Sequence, residues 1–541
     1  MLNNNRTLVD LVEKAFKKYT DKPAFTCMKQ TLTFADLDRL SARFACYLQT
    51  QTTLQPGDRI ALQLPNILQY PVALYGALRA GLIVVNTNPL YTARELKHQL
   101  NDSGAKAIVV LANIADSLAK VVDETGIEQV IVTEIADLHS PLKRILINSI
   151  VKYIKKMLPD VSFRRQIRFN DTLKQGASGA YTTPKVDPDD VVLLQYTGGT
   201  TGVAKGAMLT HRNQVSNFEQ IKLHIAGKFK EAADTYVAPL PLYHIYAFNF
   251  HCVGMVGLGN HNILIPNPRD IASLIRAIKG VPITGFVGIN TLFNALARNP
   301  KFRSLDFSRL KTTTSGGMAL TEDTARNWKE VTGHEPSEGY GLTETSPVVS
   351  SNHPDRIQRG TVGTPLPETE LKIIDEQGNS LPVGTSGELC VRGPQVMKGY
   401  WQRPDATAEV LSKDGWLKTG DMALLQEDGY LRIVDRKKDM IIVSGFNVYP
   451  NEVEDVVCQH PQVLEAAAIG VEDERSGEVV KLYVVTTDKS LTAEELRQYC
   501  RTQLTAYKVP RYIEFRDELP KSNVGKILRR ELKEKQTASA A

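Results

Sequence analysis

An apolar, strand-like run at 191–196 leads directly into Tyr196-Thr-Gly-Gly-Thr-Thr-Gly-Val-Ala-Lys-Gly-Ala207. Gly198, Gly199 and Gly202 free the backbone to approach a ligand closely. Successive backbone N–H groups in such a turn form a nest for anions. Thr197, Thr200 and Thr201 carry hydroxyls, and Lys205 adds a positive charge. The loop is chemically suited to a polyphosphate. It is not a Walker P-loop, because the Gly-Lys-Ser/Thr ending is absent. Taken alone, a glycine- and threonine-rich loop is a flexible connection, so the segments that follow it carry the decision.

Those segments are Thr314-Ser-Gly-Gly-Met318, Glu338-Gly-Tyr-Gly-Leu-Thr-Glu344, Lys418-Thr-Gly-Asp421, Asp435-Arg-Lys-Lys-Asp439, Ser444-Gly-Phe-Asn-Val-Tyr-Pro450 and Pro520-Lys-Ser-Asn-Val-Gly-Lys526. Singly, each has a plain reading: a Thr-Glu pair caps a helix, Gly-Asp makes a turn, and a lysine is solvated. Together, in this order and after the loop, they resemble the signature segments of the adenylate-forming superfamily. That superfamily holds acyl-CoA synthetases, peptide-synthetase adenylation domains and luciferases. The resemblance covers residues 8–533. Within it, Leu240-Pro-Leu-Tyr-His244, Asn267-Pro-Arg-Asp270 and Gly288-Ile-Asn-Thr-Leu-Phe-Asn294 look most like bacterial long-chain fatty-acid–CoA ligases.

The resemblance implies roles for named residues. Gly316, Gly317, Glu338, Gly339 and Gly341 would frame a nucleotide, with Tyr340 against its base. Thr343 would touch phosphate and Glu344 would hold Mg²⁺. Asp421 would take the ribose, since one carboxylate can accept from both hydroxyls. Arg436 would contact ribose or phosphates, and Lys438 would be the hinge. Gly445 would let the pantetheine arm pass, and Lys526 would enter the site with Lys205 during adenylation. The implied reaction consumes ATP and a long-chain fatty acid, releases pyrophosphate, and transfers the acyl group to CoA. The aromatic group Tyr243, Tyr246, Phe248 and Phe250, with His244 among them, would face the acyl chain together with Gly317. Phe248 is the candidate gate; plain core packing is the alternative. Two further readings stay open: an adenylating ligase for a medium-chain or aryl acid, and a non-enzymatic, membrane-associated fatty-acid-binding protein. A carrier protein could replace CoA as acceptor.

The chain that must position these groups has 541 residues. A single core rarely grows past about 250–300 residues, so several lobes are expected. Short strands alternate with helical patterns through the first 400 residues, among them 59–64, 107–111 and 129–133, which is the pattern of open α/β sheets. From Glu370 the strands shorten, and 420–436 reads as a hairpin. The predicted fold is a multidomain α/β protein. A large region of α/β sheets plus a β subdomain spans residues 1–434. A hinge at 435–440 and a small mobile α+β lid at 441–541 follow.

Net charge is only +5, but residues 139–168 carry eight basic side chains and one acid. That local patch gives no reason to expect nucleic acid. On a helical wheel of 142–158, Leu142, Leu146, Ile150, Tyr153, Ile154, Met157 and Leu158 share one half. Arg144, Lys152, Lys155 and Lys156 share the other, with Lys143 out of place. Such a helix either lies on an anionic membrane surface or packs on the body. No run is long enough to cross a bilayer, and the six scattered cysteines suggest free thiols in a reducing compartment. The expected location is cytoplasmic, with peripheral contact at the inner face of the membrane in view; a homodimer is left open.

Overall fold

The computed structural model describes residues 6–197, 204–473, 475–522 and 525–540, with side chains to 534. Two large sheets build the body. One has eight strands, with Val191–Thr197, Ile83–Asn86, Arg59–Gln63 and Ala105–Leu111 running parallel through its middle. The other has nine, and its parallel set includes Pro23–Cys27, His261–Leu264, Thr235–Ala238, Gly285–Gly288 and Thr312–Ser315. Helices cover both faces, so central strands are apolar along their whole length. Ile83–Asn86 and Gly285–Gly288 are buried at every position.

The expected β subdomain is a four-stranded antiparallel sheet of Glu370–Ile374, Gly387–Arg392, Leu417–Leu425 and Leu431–Arg436. It has its own apolar cluster around Val349, Ile373, Leu389, Val391, Ala423 and Leu431. The hairpin read at 420–436 is its last strand pair. After a turn at 437–439 the chain enters a small α+β unit. Five strands, centred on Val463–Asp473 and Gly477–Thr486, pack with Pro450–Cys458 and Ala493–Gln503 over a separate core that includes Val453, Leu482 and Cys500. Pro450 stands at the first turn of its helix, where its missing N–H costs nothing. Thr492 caps the next helix in a capping box with Glu495.

The basic segment departs from the single helix of the wheel. An α-helix, Pro141–Ser149, gives way to a π-helix, Ile150–Ile154, which ends at Lys155. The wider π turn breaks the 100° periodicity, so the wheel fails beyond Ser149. Neither helix buries a single residue. Leu142 is 84% exposed and Ile154 75%, and Ile145, Leu146, Tyr153 and Met157 are exposed as well. Packing on the body does not account for these side chains. The apolar run at 245–259 is likewise a short helix, Ile245–Ala247, followed by a buried π-helix, Phe248–Met255. Among the described residues no helix is long and apolar enough to cross a membrane.

Candidate active site

In open α/β sheets, ligands bind beyond the carboxyl ends of the strands. Here Thr197, Leu240, Ile289 and Ser315 lie at or just past such ends, and all line one cavity of about 1900 Å³. A site for one small ligand usually measures ~300–1,000 Å³. This one has room for two reactants, and residues of the β subdomain and of the small C-terminal unit complete its wall.

The side expected to take phosphate is set by two strands and a turn. Val191–Thr197 pairs antiparallel with Lys205–Thr210, so Thr197 and Lys205 face each other at the base of the loop. Gly198, Gly199, Thr200, Thr201 and Gly202 lie outside the described residues. Lys205 Nζ sits 5.2 Å from the ring centre of Tyr400. The Tyr400 hydroxyl donates to Glu344 Oε1 at 2.7 Å. One aromatic side chain thus connects the cation of the loop with the carboxylate of the Thr343–Thr345 turn. Tyr400 is held by pairing of Gly399–Tyr400 with Met208 and Ala207. Sequence reading missed it; the visible trace was a tyrosine and tryptophan following Gly399.

Glu344 and Thr343 present a carboxylate and a hydroxyl to the cavity. Among the described residues there is no cluster of three metal-ligating side chains. A lone carboxylate beside a phosphate loop fits Mg²⁺, which keeps several waters and takes one or two carboxylates plus phosphate oxygens.

The side expected to take the nucleoside is built on Ser337–Gly341 and the two last strands of the β subdomain. Asp421 and Arg436 are directly opposite across those strands. Arg436 Nε lies 2.7 Å from Asp421 Oδ1, and the Tyr340 hydroxyl donates to Asp421 Oδ2. Burial pushes the Asp421 carboxyl up; the guanidinium restrains that rise. Gly339, Tyr340, Gly341, Gly316 and Gly317 line the cavity. Glu338 instead turns aside and accepts from the Leu320 amide at 3.0 Å, which braces the loop after Ser315. Its burial raises that carboxyl to about 7.

The acyl side differs from expectation. His244 and Gly317 line the cavity, as does Phe250. Phe248, the candidate gate, is 1% exposed and packs in the main core. Tyr243 is half-buried against that core, and its backbone carbonyl accepts from Gln195 at 2.9 Å. The apolar wall continues through Ile221, Ile225, Phe229 and Leu240. Ile221 and Ile225 are one helical turn apart, and sequence reading did not single them out. Burial, then the nearby charge of Lys526, lowers His244 to about 4, so its imidazole is neutral at physiological pH.

The link contributes Lys438 to the wall, and the C-terminal unit contributes Ser522, Lys526 and Arg529. The loop bearing Lys526 lies against the body. Gly525 has φ +78°, and a Cβ there would stand 2.7 Å from Ile289 Cδ1 and 2.8 Å from Thr291 Oγ1. Glycine alone allows both that backbone and that approach. Lys526 stays accessible to water in the open cleft, but protein crowds its ammonium. That crowding, with Arg436 and Arg529 nearby and Asp421 opposing, lowers it to about 8. Gly445 has a different setting: it turns between Ile441–Val443 and Phe446–Val448, and the turn is exposed.

A site of this kind, at the junction of two α/β sheets, a β subdomain and a small C-terminal unit, is that of an AMP-binding enzyme. Residues 12–401 match the AMP-binding enzyme family and residues 452–526 match the AMP-binding enzyme C-terminal domain; the chain belongs to this family. More particularly, it is 54% identical over 530 residues to the long-chain-fatty-acid–CoA ligase of Escherichia coli O6:H1, covering 98% of this chain and 94% of that one. It is 39% identical to the Bacillus subtilis enzyme of the same name, over 98% and 95% of the two chains. Among solved structures, ATP-bound MatB from Rhodopseudomonas palustris aligns with a TM-score of 0.82 and 30% identity, over 97% of this chain and 98% of that one.

The lowered Lys526 predicts a pH limb. The ammonium is the form able to pair with an anion, and it is lost as pH rises through about 8. Free-enzyme kcat/KM for the nucleotide should then fall about tenfold per pH unit above that value. Lys526→Arg, whose charge persists, should remove the limb even if the plateau drops. Initial rates from pH 6 to about 10 read both.

Proposed function

We propose that this protein is an AMP-forming long-chain fatty-acid–CoA ligase. The observation that carries the reading is one cavity joining two chemistries. Lys205, Arg436 and Lys526 line the same cavity as the apolar side chains Ile221, Ile225, Phe229, Leu240 and Phe250, and the neutral His244 lines it too. The E. coli and B. subtilis relatives support the choice of a long-chain acid.

A carboxylate oxygen attacks the α-phosphorus of ATP, forming acyl-AMP and releasing pyrophosphate. Both reactants are anions, so the barrier is partly their mutual repulsion. Lys526 and Lys205 stabilise charge that builds on the transferring phosphorus. Asp421 receives the ribose hydroxyls and Arg436 stays beside them. Glu344 and Thr343 would hold Mg²⁺, which when bound supplies further positive charge to the phosphates. The neutral imidazole of His244 adds no charge of its own beside the fatty carboxylate. In the second step the CoA thiolate attacks the acyl carbonyl and AMP leaves. For this step we infer that the unit at 441–541 turns about Lys438 as a lid, withdrawing Lys526 and bringing Gly445 to the cleft.

We place the enzyme in the cytoplasm with reversible contact at the inner membrane face. The exposed apolar side chains of 142–157, ringed by Lys143, Arg144, Lys152, Lys155 and Lys156, favour an anionic bilayer as partner. The patch also flanks the acyl segment. Asp270 is held low by Ser273 and then by the charges of Arg276 and Lys155, and Arg269 is near enough to bear on Tyr243.

The direct test is ATP–pyrophosphate exchange over carboxylates from acetate to oleate plus benzoates, with and without CoA. Exchange should peak at long chains, and CoA should be consumed as acyl-CoA; exchange with aryl acids alone would replace the substrate. Single variants should separate the steps. Lys526→Ala should slow adenylation on the order of 10²–10³-fold and spare thioester formation from supplied acyl-adenylate. Lys438→Pro, which fixes φ, should do the reverse. For the surface, co-sedimentation with phosphatidylglycerol vesicles should show binding that weakens with salt and is lost in Leu142→Asp/Ile154→Asp; binding that survives the double change would disprove the site.

A further inference from the structure

Arg529 lies three residues beyond Lys526, at the start of the last helix, Arg529–Ala540. Its guanidinium is largely buried, and its Nε and Nη2 are hydrogen-bonded. Nε donates to Glu454 Oε1 at 2.9 Å. Nη2 donates to Glu454 Oε2 and to Asn451 Oδ1, each at 2.6 Å. Nη1 stands 3.7 Å from Asp435 Oδ1 and 3.7 Å from Asp439 Oδ2. Asp435 belongs to the last strand of the body, and Asp439 lies beyond Lys438. One arginine therefore touches both sides of the link.

The neighbours reinforce this bridge. Asn451, at the start of the helix Pro450–Cys458, donates its backbone N–H to Asp435 Oδ2 at 2.8 Å and its side-chain amide to the Val434 carbonyl at 3.3 Å. Asp435 is 1% exposed. Its burial pushes the carboxyl up to about 6, and Arg529 is the main influence against it. Asp455 and Glu454 add further acid at the same junction. Without the guanidinium, Glu454 and Asp435 would lose the cation that bridges them, and a buried charge whose partner is removed is strongly unfavourable.

The catalytic loop hangs from this point. The Leu528 amide donates to the Pro520 carbonyl at 2.8 Å, and the Ser522 amide to that of Lys526 at 2.7 Å. The loop tip is pressed on Ile289 and Thr291 through Gly525. Its free end is thus fitted to the body, and its base is fixed by Arg529.

We propose that Arg529 is a positioning residue that clamps the Lys526 loop to Asp435 and Asn451, holding Lys526 in the cleft for adenylate formation and releasing it when the lid turns. The proposal rests on the two-step ligase reading. Its effect belongs to one half-reaction, because among these partners Asp435 and the Val434 carbonyl lie in the body, and a lid turning about Lys438 would carry Arg529 and Asn451 away from them.

The experiment uses the full chain carrying Arg529→Gln. Misplacing a reacting group by about 1 Å can cost ~10²-fold. ATP–pyrophosphate exchange with oleate should therefore fall about ten- to a hundredfold, while thioester formation from supplied oleoyl-adenylate stays near the wild-type rate. The alkaline limb assigned to Lys526 gives a second readout. Lys526 is faced by Arg436 and Asp421 from the body strands, His244 from the segment after Pro241, Asp439 from the link and Arg529 from the start of the last helix. Removing the Arg529 charge should move the limb to higher pH. Arg529→Lys should recover part of the exchange rate. Equal loss in both half-reactions, or a limb that does not move, overturns the proposal. Should Arg529→Gln not fold, Asp435→Asn carries the same test, with selective loss of exchange expected and equal loss refuting it. Absence of exchange in the wild-type protein with any acid defeats the ligase reading, and this proposal with it. Normal wild-type exchange with a non-selective Arg529→Gln defeats this proposal alone.

Discussion

The Asp421–Arg436 ion pair sets the floor of the cleft, and most of the site is arranged around it. The two residues are opposite each other on adjacent strands of the β subdomain. Tyr340, from the nine-stranded sheet, gives its hydroxyl to the same carboxylate. Three strands from two sheets are thereby held in one register. A pair of this kind contributes little stability in itself, because desolvation consumes most of the attraction; loss of one partner costs about 3–5 kcal/mol. What it supplies is a fixed place for a carboxylate that can take two hydroxyls and a guanidinium that stays charged beside it.

That fixed charge then governs the lysine arriving from the other side. Arg436 disfavours the Lys526 ammonium and Asp421 favours it, within a crowded space that disfavours it further. In the cleft as it stands, the ammonium is held less favourably than it would be in water. An incoming triphosphate would tip the balance toward the charged form, so the cation is stabilised most when its anionic partner is present. Anion binding and lid placement are in this sense one equilibrium, and the buried junction around Arg529 and Asp435 is the mechanical counterpart of the same coupling.

Much of this was legible in the sequence, and the reasons are local. Strand ends with Gly-Gly or Gly-Tyr-Gly, a capping Thr492 and a helix opened by Pro450 all carry their structure in a few neighbouring residues. The parallel sheets followed from alternation of short apolar runs with helical patterns. What escaped lies in pairings between distant segments. Tyr400 matters because it touches Glu344 and Lys205, and nothing around residue 400 announces that. Phe248 and Phe250 differ in role although both are buried aromatics. The π-helix spanning Phe248–Met255 decides which faces the cavity, and a 3.6-residue period could not anticipate it. The same irregularity, a π turn at Ile150–Ile154, ended the amphipathic wheel early.

The apolar wall shows how substrate preference and stability are linked in this fold. Phe250 and Tyr236 meet edge-on at 5.2 Å, and Phe229 closes on both at 6.0 to 6.1 Å. These rings belong to the body and border its core, so cavity depth is set by the packing that holds the sheet and its helices together. Each methylene buried contributes about 0.8 kcal/mol; two more carbons of chain therefore change affinity about fifteenfold, provided the wall leaves room. A flexible loop at that end would blur the limit. A wall of interlocked aromatics makes it sharp, since close-packed interiors yield little to an extra carbon. On the reading proposed above, acyl preference is accordingly a property of the core, and nucleotide chemistry a property of the strand ends.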